Sequence, residues 1–143
     1  FRFSSCPFCN SRINRIMKRW DAFPDDAVMV GVFDAEVSDL AKRMAKHKPK
    51  FTIVADDSYE TFLENGVSKS VAGLMLAPLR APLTTLEAML RGYVPMTMSM
   101  SKLSTMPVDI LIDEEGKVVE AHYCRDTVDH LPIDRLVSFA KGN

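Results

Sequence analysis

The chain has 143 residues, 47% of them hydrophobic, and a formal net charge of −1 at pH 7. This length suits a single domain with its own core, and the near-neutral charge provides no basic surface for nucleic acid. The longest apolar stretch, residues 72–77, is too short to cross a bilayer, so we expect no membrane partner. Three cysteines are too few for a disulfide-stapled secreted scaffold and favour a reducing, cytoplasmic location.

The chain begins Phe1-Arg2-Phe3, and these three residues directly precede Ser4-Ser5-Cys6. A strand that ends here has about three residues, fewer than the five or six that are typical. We therefore expect the first strand to be truncated at its start.

The first motif is Cys6-Pro7-Phe8-Cys9, a C-x-x-C pair directly before a basic amphipathic pattern. At a helix N-terminus, Cys6 would lie at the positive end of the helix dipole, beside unpaired backbone N–H groups that stabilise a thiolate. Pro7 suits the first helical turn, where its missing N–H costs nothing. Cys9 lies one turn later on the same face, within reach of a short disulfide.

A helix is predicted directly after the motif because apolar residues recur there at helical spacing. These residues are Ile13, Ile16, Met17 and Trp20. Basic residues cover the opposite face, where most of them are expected to be solvated. Arg12 is the nearest of them to the cysteines, and we expect it to add to thiolate stabilisation.

Strands and helices then alternate. Residues 28–33 and 51–55 have the apolar character of buried strands, and a helix with an apolar stripe lies between them, at residues 37–44. A short helix is predicted to follow and to stop at Asn65-Gly66. This alternation predicts a parallel α/β core.

Residues 67–106 break the alternation and are predicted to be an elaboration packed on the core. A Thr84–Glu87 capping box predicts one helix, over residues 84–91. The rest is rich in proline and holds six of the nine methionines.

After residue 106 the sequence again has the pattern of regular secondary structure. Residues 108–112 are a predicted strand, Asp113–Gly116 a tight turn, and residues 117–122 the antiparallel partner strand. The last helix is predicted to start with Pro132 in its first turn.

This order of elements, with C-x-x-C where the first core strand meets its helix, resembles the thioredoxin fold. The resemblance implies an α/β domain over residues 1–143 in which a βαβ half and a ββα half share one central mixed sheet flanked by helices. Residues 67–106 would be a helical insertion before the C-terminal hairpin. Met106-Pro107 matches the position where that fold keeps a cis-proline facing the active-site disulfide.

Two branches of the superfamily are similar to different parts of the chain. Cys-Pro-Phe-Cys looks most like a glutaredoxin-type centre. Residues 106–116, before the second hairpin strand, look more like the peroxiredoxin-like branch of alkyl hydroperoxide reductase and thiol-specific antioxidant proteins. Either resemblance implies an antioxidant or thiol-dependent oxidoreductase with a redox-active dithiol.

The peroxiredoxin pattern itself is mostly absent. The pattern that peroxiredoxins have at this position looks like Pro-x-x-x-Thr-x-x-Cys. When the two are aligned, Arg2 stands in place of the proline and Cys6 in place of the threonine. Cys9 then stands in place of the peroxidatic cysteine. Pro107 takes roughly the place of the arginine that polarises the peroxide. Peroxide cleavage needs donors aimed at the developing charge, and the sequence shows none, so the motif favours thiol–disulfide exchange.

The favoured mechanism requires no cofactor. Cys6 is the exposed nucleophile that attacks a disulfide, or is oxidised by a peroxide, giving a mixed disulfide or a sulfenic acid. Cys9, which is more buried, then closes the Cys6–Cys9 disulfide. By the resemblance, Pro107 packs against the sulfurs and shapes the substrate groove. An outside thiol such as thioredoxin or glutathione would restore the dithiol.

Two further residues lie near the predicted site. Hairpin pairing brings Cys124 level with Pro107, where it is either a third redox thiol or a small buried hydrophobe. Asp109 is either a carboxylate of raised pKa that accepts a proton during thiol attack, or an edge residue paired with a basic side chain. In each case we favour the structural alternative.

Other readings stay open. Met96, Met98 and Met100 alternate, which suits Cu(I) ligation but equally the apolar face of a half-buried strand. A binding module with inert, structural cysteines is the non-enzymatic alternative. The histidines are scattered and are expected to be surface or structural residues; they are His47, His122 and His130. Peroxide versus disulfide as substrate, and the oligomeric state, are not decided by the sequence.

Overall fold

The computed structural model describes residues 1–92 and 100–142, and this part of the chain is a mixed α/β protein, as predicted. Its helices are α1 (Pro7–Lys18), α2 (Val37–Met44), α3 (Glu60–Glu64), α4 (Val71–Arg80), α5 (Pro82–Leu90), α6 (Met100–Leu103) and α7 (Ile133–Ala140), with a 3-10 turn at Trp20–Ala22. Its strands are β1 (Val30–Phe33), β2 (Thr52–Ala55), β3 (Val108–Ile112) and β4 (Val118–Tyr123). Across these described ranges, no helix combines the length and apolar character needed to span a membrane.

Two strand ladders form the β-structure. β1 pairs with β2 in parallel, with Val30 opposite Thr52, and β3 pairs with β4 in antiparallel fashion, with Asp109 opposite His122. Among residues 1–92 and 100–142, ladders join only these two pairs, so the expected single mixed sheet is not formed as a hydrogen-bonded unit.

Residues 1–3 run beside β1 and also reach the start of β3. The Asp34 amide donates to the Arg2 carbonyl at 2.8 Å, and the Phe1 ring stacks on Phe33 with centroids 4.9 Å apart. On the other side the Arg2 side chain donates to the carbonyl of Thr105. One main-chain hydrogen bond and side-chain contacts therefore replace the ladder that a full strand would make.

The core lies between α1 and the β1–β2 pair. Ile13 and Ile16 of α1 are buried, while Met17 and Trp20 of the predicted apolar stripe are half-buried against the same cluster. The cluster continues through Phe3, Phe33, Leu40, Met44 and Phe51. This packing fixes the N-terminal turn of α1, which carries both cysteines of the motif.

The insertion differs from the prediction. The helix α4 was not expected; Ser70 begins it, because its hydroxyl accepts a hydrogen bond from the Gly73 amide at 2.9 Å, and it continues through Pro78. The helix α5 begins at Pro82, so Thr84 lies inside it and is not an N-cap. Met96 and Met98 lie outside the described residues, and position 100 is the first residue of α6.

Other local predictions are confirmed. The helix α3 ends at Glu64 and is followed by Gly66 with φ of +66°, the left-handed conformation expected at that stop. The β3–β4 turn contains Gly116 with φ of +80°, and the Asp113 amide donates to the Lys117 carbonyl at 2.9 Å. Local turn chemistry therefore sets both connections.

Candidate redox site

Cys6 is the N-cap residue of α1, as the motif predicts. Its backbone is extended, with φ of −61° and ψ of 119°, and its sulfur accepts a hydrogen bond from the Cys9 amide at 3.4 Å. Pro7 occupies the first helical position. The Cys6 sulfur thus replaces the hydroxyl or carboxylate oxygen of a common N-cap, and it lies at the positive end of the helix dipole.

Arg2 is the residue that completes the site, and sequence reasoning missed it. Its side chain is buried, and Nη1 donates to Cys6 Sγ at 3.4 Å. The same guanidinium donates through Nε to the Thr105 carbonyl at 2.6 Å and through Nη2 to the Leu103 carbonyl. The Arg2 amide donates to Cys9 Sγ at 3.4 Å. One arginine therefore links both sulfurs to the segment before β3.

A signal for Arg2 is present in the sequence. Phe1 and Phe3 flank it and face the apolar core, so an extended segment turns the arginine the other way, toward the end of the C-x-x-C loop. What the sequence does not contain is the distance from this side chain to the sulfur.

The pKa values of the two motif cysteines are shifted in opposite directions. Burial raises the pKa of Cys6, but the Cys9 thiol, the Arg2 charge and the backbone amides of Cys9 and Phe8 outweigh it and lower this pKa to about 6. Burial, the hydrogen bond with Cys6 and the negative charge of Cys6 raise the pKa of Cys9 well above its ordinary value. The surroundings therefore favour the thiolate at Cys6 and the neutral thiol at Cys9.

The expected exposure of Cys6 is wrong. Cys6 has 0% of its surface exposed and Cys9 has 1%. Cys6 is buried because Phe3 and the first turn of α1 lie in the core and because Arg2 covers the sulfur from the side of residues 103–105. A bulky substrate reaches the sulfur only after a local opening of these neighbours.

Pro107 is buried at the start of β3, and its carbonyl accepts a hydrogen bond from the Cys124 amide at 3.1 Å. The cis peptide bond that the resemblance implies is not found: the described residues contain no cis bond. Pro107 follows Thr105 by two residues, and Arg2 joins the Thr105 carbonyl to Cys6 Sγ.

Arg12 and Asp109 form a second network, away from Cys6. Arg12 Nη2 donates to the Leu131 carbonyl at 2.6 Å and lies 3.9 Å from Asp109 Oδ2. His130 Nδ1 contacts both Asp109 oxygens at 3.0 and 3.1 Å, and the Leu131 amide donates to the same carboxylate. The role expected of Arg12 at the thiolate thus belongs to Arg2.

The raised pKa considered for Asp109 is also wrong. Burial raises this pKa, but hydrogen bonding to His130, the His130 and Arg12 charges and the Leu131 amide outweigh burial and lower it to about 2. Asp109 is therefore a structural ion-pair residue and a poor proton acceptor, which is the structural alternative.

Cys124 lies at the end of β4, close to this network. Burial and the negative charges of Asp109 and Asp129 raise the pKa of its thiol, as expected of a small buried hydrophobe. Ligand atoms of Asp109, Cys124 and His130 all lie within 4.8 Å of one another, and these are ligand types that zinc accepts. The Arg12 guanidinium already supplies a cation beside Asp109, so we interpret the group as a hydrogen-bonded network.

The histidines have structural contacts, as expected. His47 Nε2 lies 2.7 Å from Asn10 Oδ1, and His122 Nε2 lies 2.5 Å from the Asp129 carbonyl. His130 is buried against Asp109, and its pKa is lowered by burial even though Asp109 raises it.

A small cavity of about 100 Å³ lies between α1 and residues 127–132, beside Phe8 of the motif. Ser11, Thr127 and His130 line it, and in the described part of the chain Ser11 Oγ, Thr127 Oγ1 and His130 Nε2 are buried without a hydrogen-bond partner. Polar groups are therefore available next to the motif for a small ligand or a substrate backbone.

Comparisons with protein-family models, with curated proteins and with solved structures found no match to this chain. The site geometry brings Cys6, Cys9 and Arg2 into contact and places Arg12, Asp109 and Cys124 in a separate network. Pro107 lies two residues after Thr105, whose carbonyl Arg2 binds, and its own carbonyl accepts from the Cys124 amide.

Proposed function

We propose that this protein is a thiol–disulfide oxidoreductase of the thioredoxin-like kind that cycles Cys6 and Cys9 between dithiol and disulfide. The observation that carries the proposal is the asymmetry of the pair. Cys6 accepts hydrogen bonds from Arg2 and from the Cys9 amide and has a pKa of about 6, whereas the pKa of Cys9 is raised. An attacking thiol works best with a pKa near the ambient pH, and a structural cysteine pair has no need for this arrangement.

The reaction follows from the two protonation states. The Cys6 thiolate attacks one sulfur of a substrate disulfide, forming a mixed disulfide and releasing the other substrate sulfur as a thiolate. The Cys9 thiol then gives its proton to the released thiolate and attacks Cys6 Sγ. This step closes the Cys6–Cys9 disulfide and releases the second substrate thiol. Two outside thiol groups, supplied by two glutathione molecules or by one thioredoxin dithiol, return the pair to the dithiol and are themselves oxidised to a disulfide.

Arg2 has two roles in this scheme. Its charge stabilises the Cys6 thiolate, which favours the reduced state of the pair. Its bonds to the Leu103 and Thr105 carbonyls also hold the segment before β3 against the buried sulfur. Substrate access then requires this segment to move, so the rate of exchange depends on that opening as well as on the thiolate fraction.

A second candidate function is peroxide reduction, and Arg2 is the observation that favours it. A buried guanidinium that donates to a thiolate is also able to stabilise the negative charge that develops on a peroxide oxygen. In that reaction Cys6 takes one peroxide oxygen to become a sulfenic acid, the other oxygen leaves as an alcohol or water, and Cys9 condenses with the sulfenic acid to give the disulfide and water.

The first experiment is alkylation trapping with mass spectrometry across a glutathione redox series. We expect a reversible Cys6–Cys9 disulfide in the wild type and an unchanged midpoint in Cys124→Ser. With glutathione disulfide, Cys9→Ser should accumulate one glutathione on Cys6, whereas Cys6→Ser should accumulate none. If the pair never forms a disulfide, or if Cys6 stays unmodified in Cys9→Ser, the exchange mechanism is wrong and a structural role for the cysteines is favoured.

Peroxide consumption separates the two candidates. Stopped-flow mixing of the reduced protein with hydrogen peroxide would show fast oxidation of Cys6 in a peroxidase, and slow oxidation together with fast glutathione disulfide exchange in an oxidoreductase. Oxidation that requires Cys9 and not Cys6 would reverse the roles that we assign to the two cysteines.

A further inference from the structure

The helices α4 and α5 expose an unusual amount of apolar side chain. Eight large apolar residues on them are between 44% and 80% exposed. They are Val71, Met75, Leu76, Leu79, Leu83, Leu86, Met89 and Leu90. The helices α4 and α5 form a helical hairpin, and we call these eight residues the hairpin surface. Leu79, Leu83 and Leu90 are each more than three quarters exposed, which is rare for leucine in a monomeric domain.

The hairpin turns its small residues inward and its large ones outward. A Cβ on Gly73 would lie 2.5 Å from the Arg125 carbonyl and 2.7 Å from Met106 Sδ, so α4 packs closely there through a glycine. Ala77 of α4 and Ala88 of α5 are the other fully buried residues of the pair. A surface helix ordinarily buries its large apolar residues. Within residues 1–92 and 100–142, the core therefore does not account for the hairpin surface.

A shallow groove of about 410 Å³, open to solvent, lies on the exposed face of α5. Leu83, Leu86 and Leu90 line it together with Glu87 and Arg91. Grooves between helical side chains accept ridges from another helix. The exposed face of α5 is thus shaped to accept side chains from another helix.

The size of the surface suits a dimer. Eight large side chains at these exposures present apolar area on the order of 700 Å², and a stable interface buries about 800 Å² from each partner. Monomers seldom expose a contiguous apolar patch larger than a few hundred Å².

The charges of the hairpin favour a second copy over a lipid surface. Arg80 pairs with Asp126 of its own chain, and Glu87 pairs with both Arg15 and Arg91. Helices that lie on membranes depend on unpaired basic residues along their polar face, and these arginines are already paired. A symmetric dimer brings a surface against itself, which an apolar face tolerates because no like charges meet.

We propose that the hairpin surface is the interface of a homodimer in which the α4–α5 hairpins of two copies pack against each other. The proposal is independent of the redox function, because it does not involve Cys6 or Cys9. α5 also contacts α1 through Arg15, whose Nη2 donates to Thr84 and Glu87. The interface would therefore support the helix that carries both cysteines.

The test is the mass of the protein in solution, measured by light scattering after size exclusion and by sedimentation velocity. A thiol reductant is present throughout, so that no disulfide links two copies. We expect twice the 16.0 kDa mass of one chain. Leu83→Glu combined with Leu90→Glu should weaken association at least 100-fold and give the monomer, because each copy then places two charges in the interface.

The matched control is Leu63→Glu, which makes the same change at a 67% exposed leucine of α3, outside the hairpin. This variant should remain a dimer. Leu83→Ala combined with Leu90→Ala covers the case in which the charged variant misfolds. Both leucines are 80% exposed, so truncating them leaves the fold of one copy intact and should weaken association at least 10-fold.

Three results would overturn the proposal. The first is a wild-type monomer over the whole accessible concentration range. The second is a dimer that Leu63→Glu disrupts as strongly as the hairpin variants do. The third is a monomer that binds phosphatidylcholine vesicles through the hairpin leucines, which would make the surface a lipid contact.

Discussion

Cys6 and Cys124 are two buried thiols with opposite acidities. Cys6 is 0% exposed and Cys124 is 4% exposed, so burial opposes the thiolate at both. At Cys6, the Cys9 thiol, Arg2 and two backbone amides reverse that effect and lower the pKa to about 6. At Cys124, the carboxylates of Asp109 and Asp129 add to it and raise the pKa.

The difference shows that burial alone does not decide the pKa of a thiol. Burial raises the pKa of both thiols, but the neighbouring charges differ in sign. A positive charge lies beside Cys6 and negative charges lie beside Cys124, and these charges determine which sulfur favours the thiolate. The thiol of lowered pKa lies at a helix N-terminus beside a cation, and the thiol of raised pKa lies at a strand end beside carboxylates.

The largest expected effect is the difference in thiolate content between the two sites. Near pH 7 about nine tenths of Cys6 should be thiolate, as its pKa of about 6 implies, and Cys124 should contribute almost none. Ultraviolet absorbance of the thiolate, titrated with pH, measures this without requiring reagent access. Cys6→Ser should remove the acidic transition and Cys124→Ser should leave it. An acidic transition that survives in Cys6→Ser would contradict the contrast.

The second largest expected effect is on the pH dependence of stability, and it comes from Asp109 in the network beside Cys124. Asp109 has a folded-state pKa of about 2, below the value of about 3.9 in an unfolded chain. Its ionised form therefore stabilises the fold above about pH 4, by about 2 kcal/mol, and this contribution is lost as the pH falls toward 2. Asp109→Asn should lose it at neutral pH and flatten the acid limb of the stability curve.

Urea denaturation at several pH values checks this prediction, with exposed Asp25→Asn as the control that keeps the wild-type curve. Asp109→Asn also removes one of the negative charges that oppose the Cys124 thiolate, so the pKa of Cys124 should fall. An acid limb that is as steep in Asp109→Asn as in the wild type would rule out this carboxylate as its source.

Arg2→Met should raise the pKa of Cys6 toward its ordinary value, because the variant removes the cation and one donor while the other donors remain. We expect the thiolate fraction near pH 7 to fall about five-fold. Thiolate absorbance is the measurement, and Arg12→Met is the matched control because Arg12 contacts Leu131 and Asp109. Equal shifts in the two variants would mean that the effect is not specific to Arg2.

The smallest expected effect is that of Cys124→Ala. The loss of one small buried side chain should cost about 1 kcal/mol of unfolding free energy, because the side chain contributes packing and one long hydrogen bond from its sulfur to the His122 carbonyl. The midpoint of the Cys6–Cys9 couple in the glutathione series should not change. A shifted midpoint would instead make Cys124 a participant in the redox chemistry.

Most local elements of the fold could be predicted from the sequence. The helix α1, the β3–β4 hairpin and the stop at Gly66 follow from capping, alternation and turn chemistry, which act over a few residues. The helix α4 was missed because Pro78 suggests a stop. A proline late in a helix is tolerated when packing compensates, and here Gly73 packs against residues that are distant in the sequence.

The arrangement of the strands was less predictable. Residues 1–3 make one main-chain hydrogen bond to Asp34, so β1–β2 and β3–β4 remain separate ladders. No periodicity within a strand indicates which neighbour it has, since pairing depends on long-range register.

The sequence by itself determined that two cysteines lie on the first turn of a helix and that one of them caps it, because capping and helical spacing are local. Only the tertiary structure decided which charges surround each sulfur. Arg2 reaches Cys6 while it bonds to a carbonyl 103 residues away, and Asp109 reaches Cys124 across the β3–β4 pair. Acidity depends on distances in space, and these distances arise only when the chain has folded.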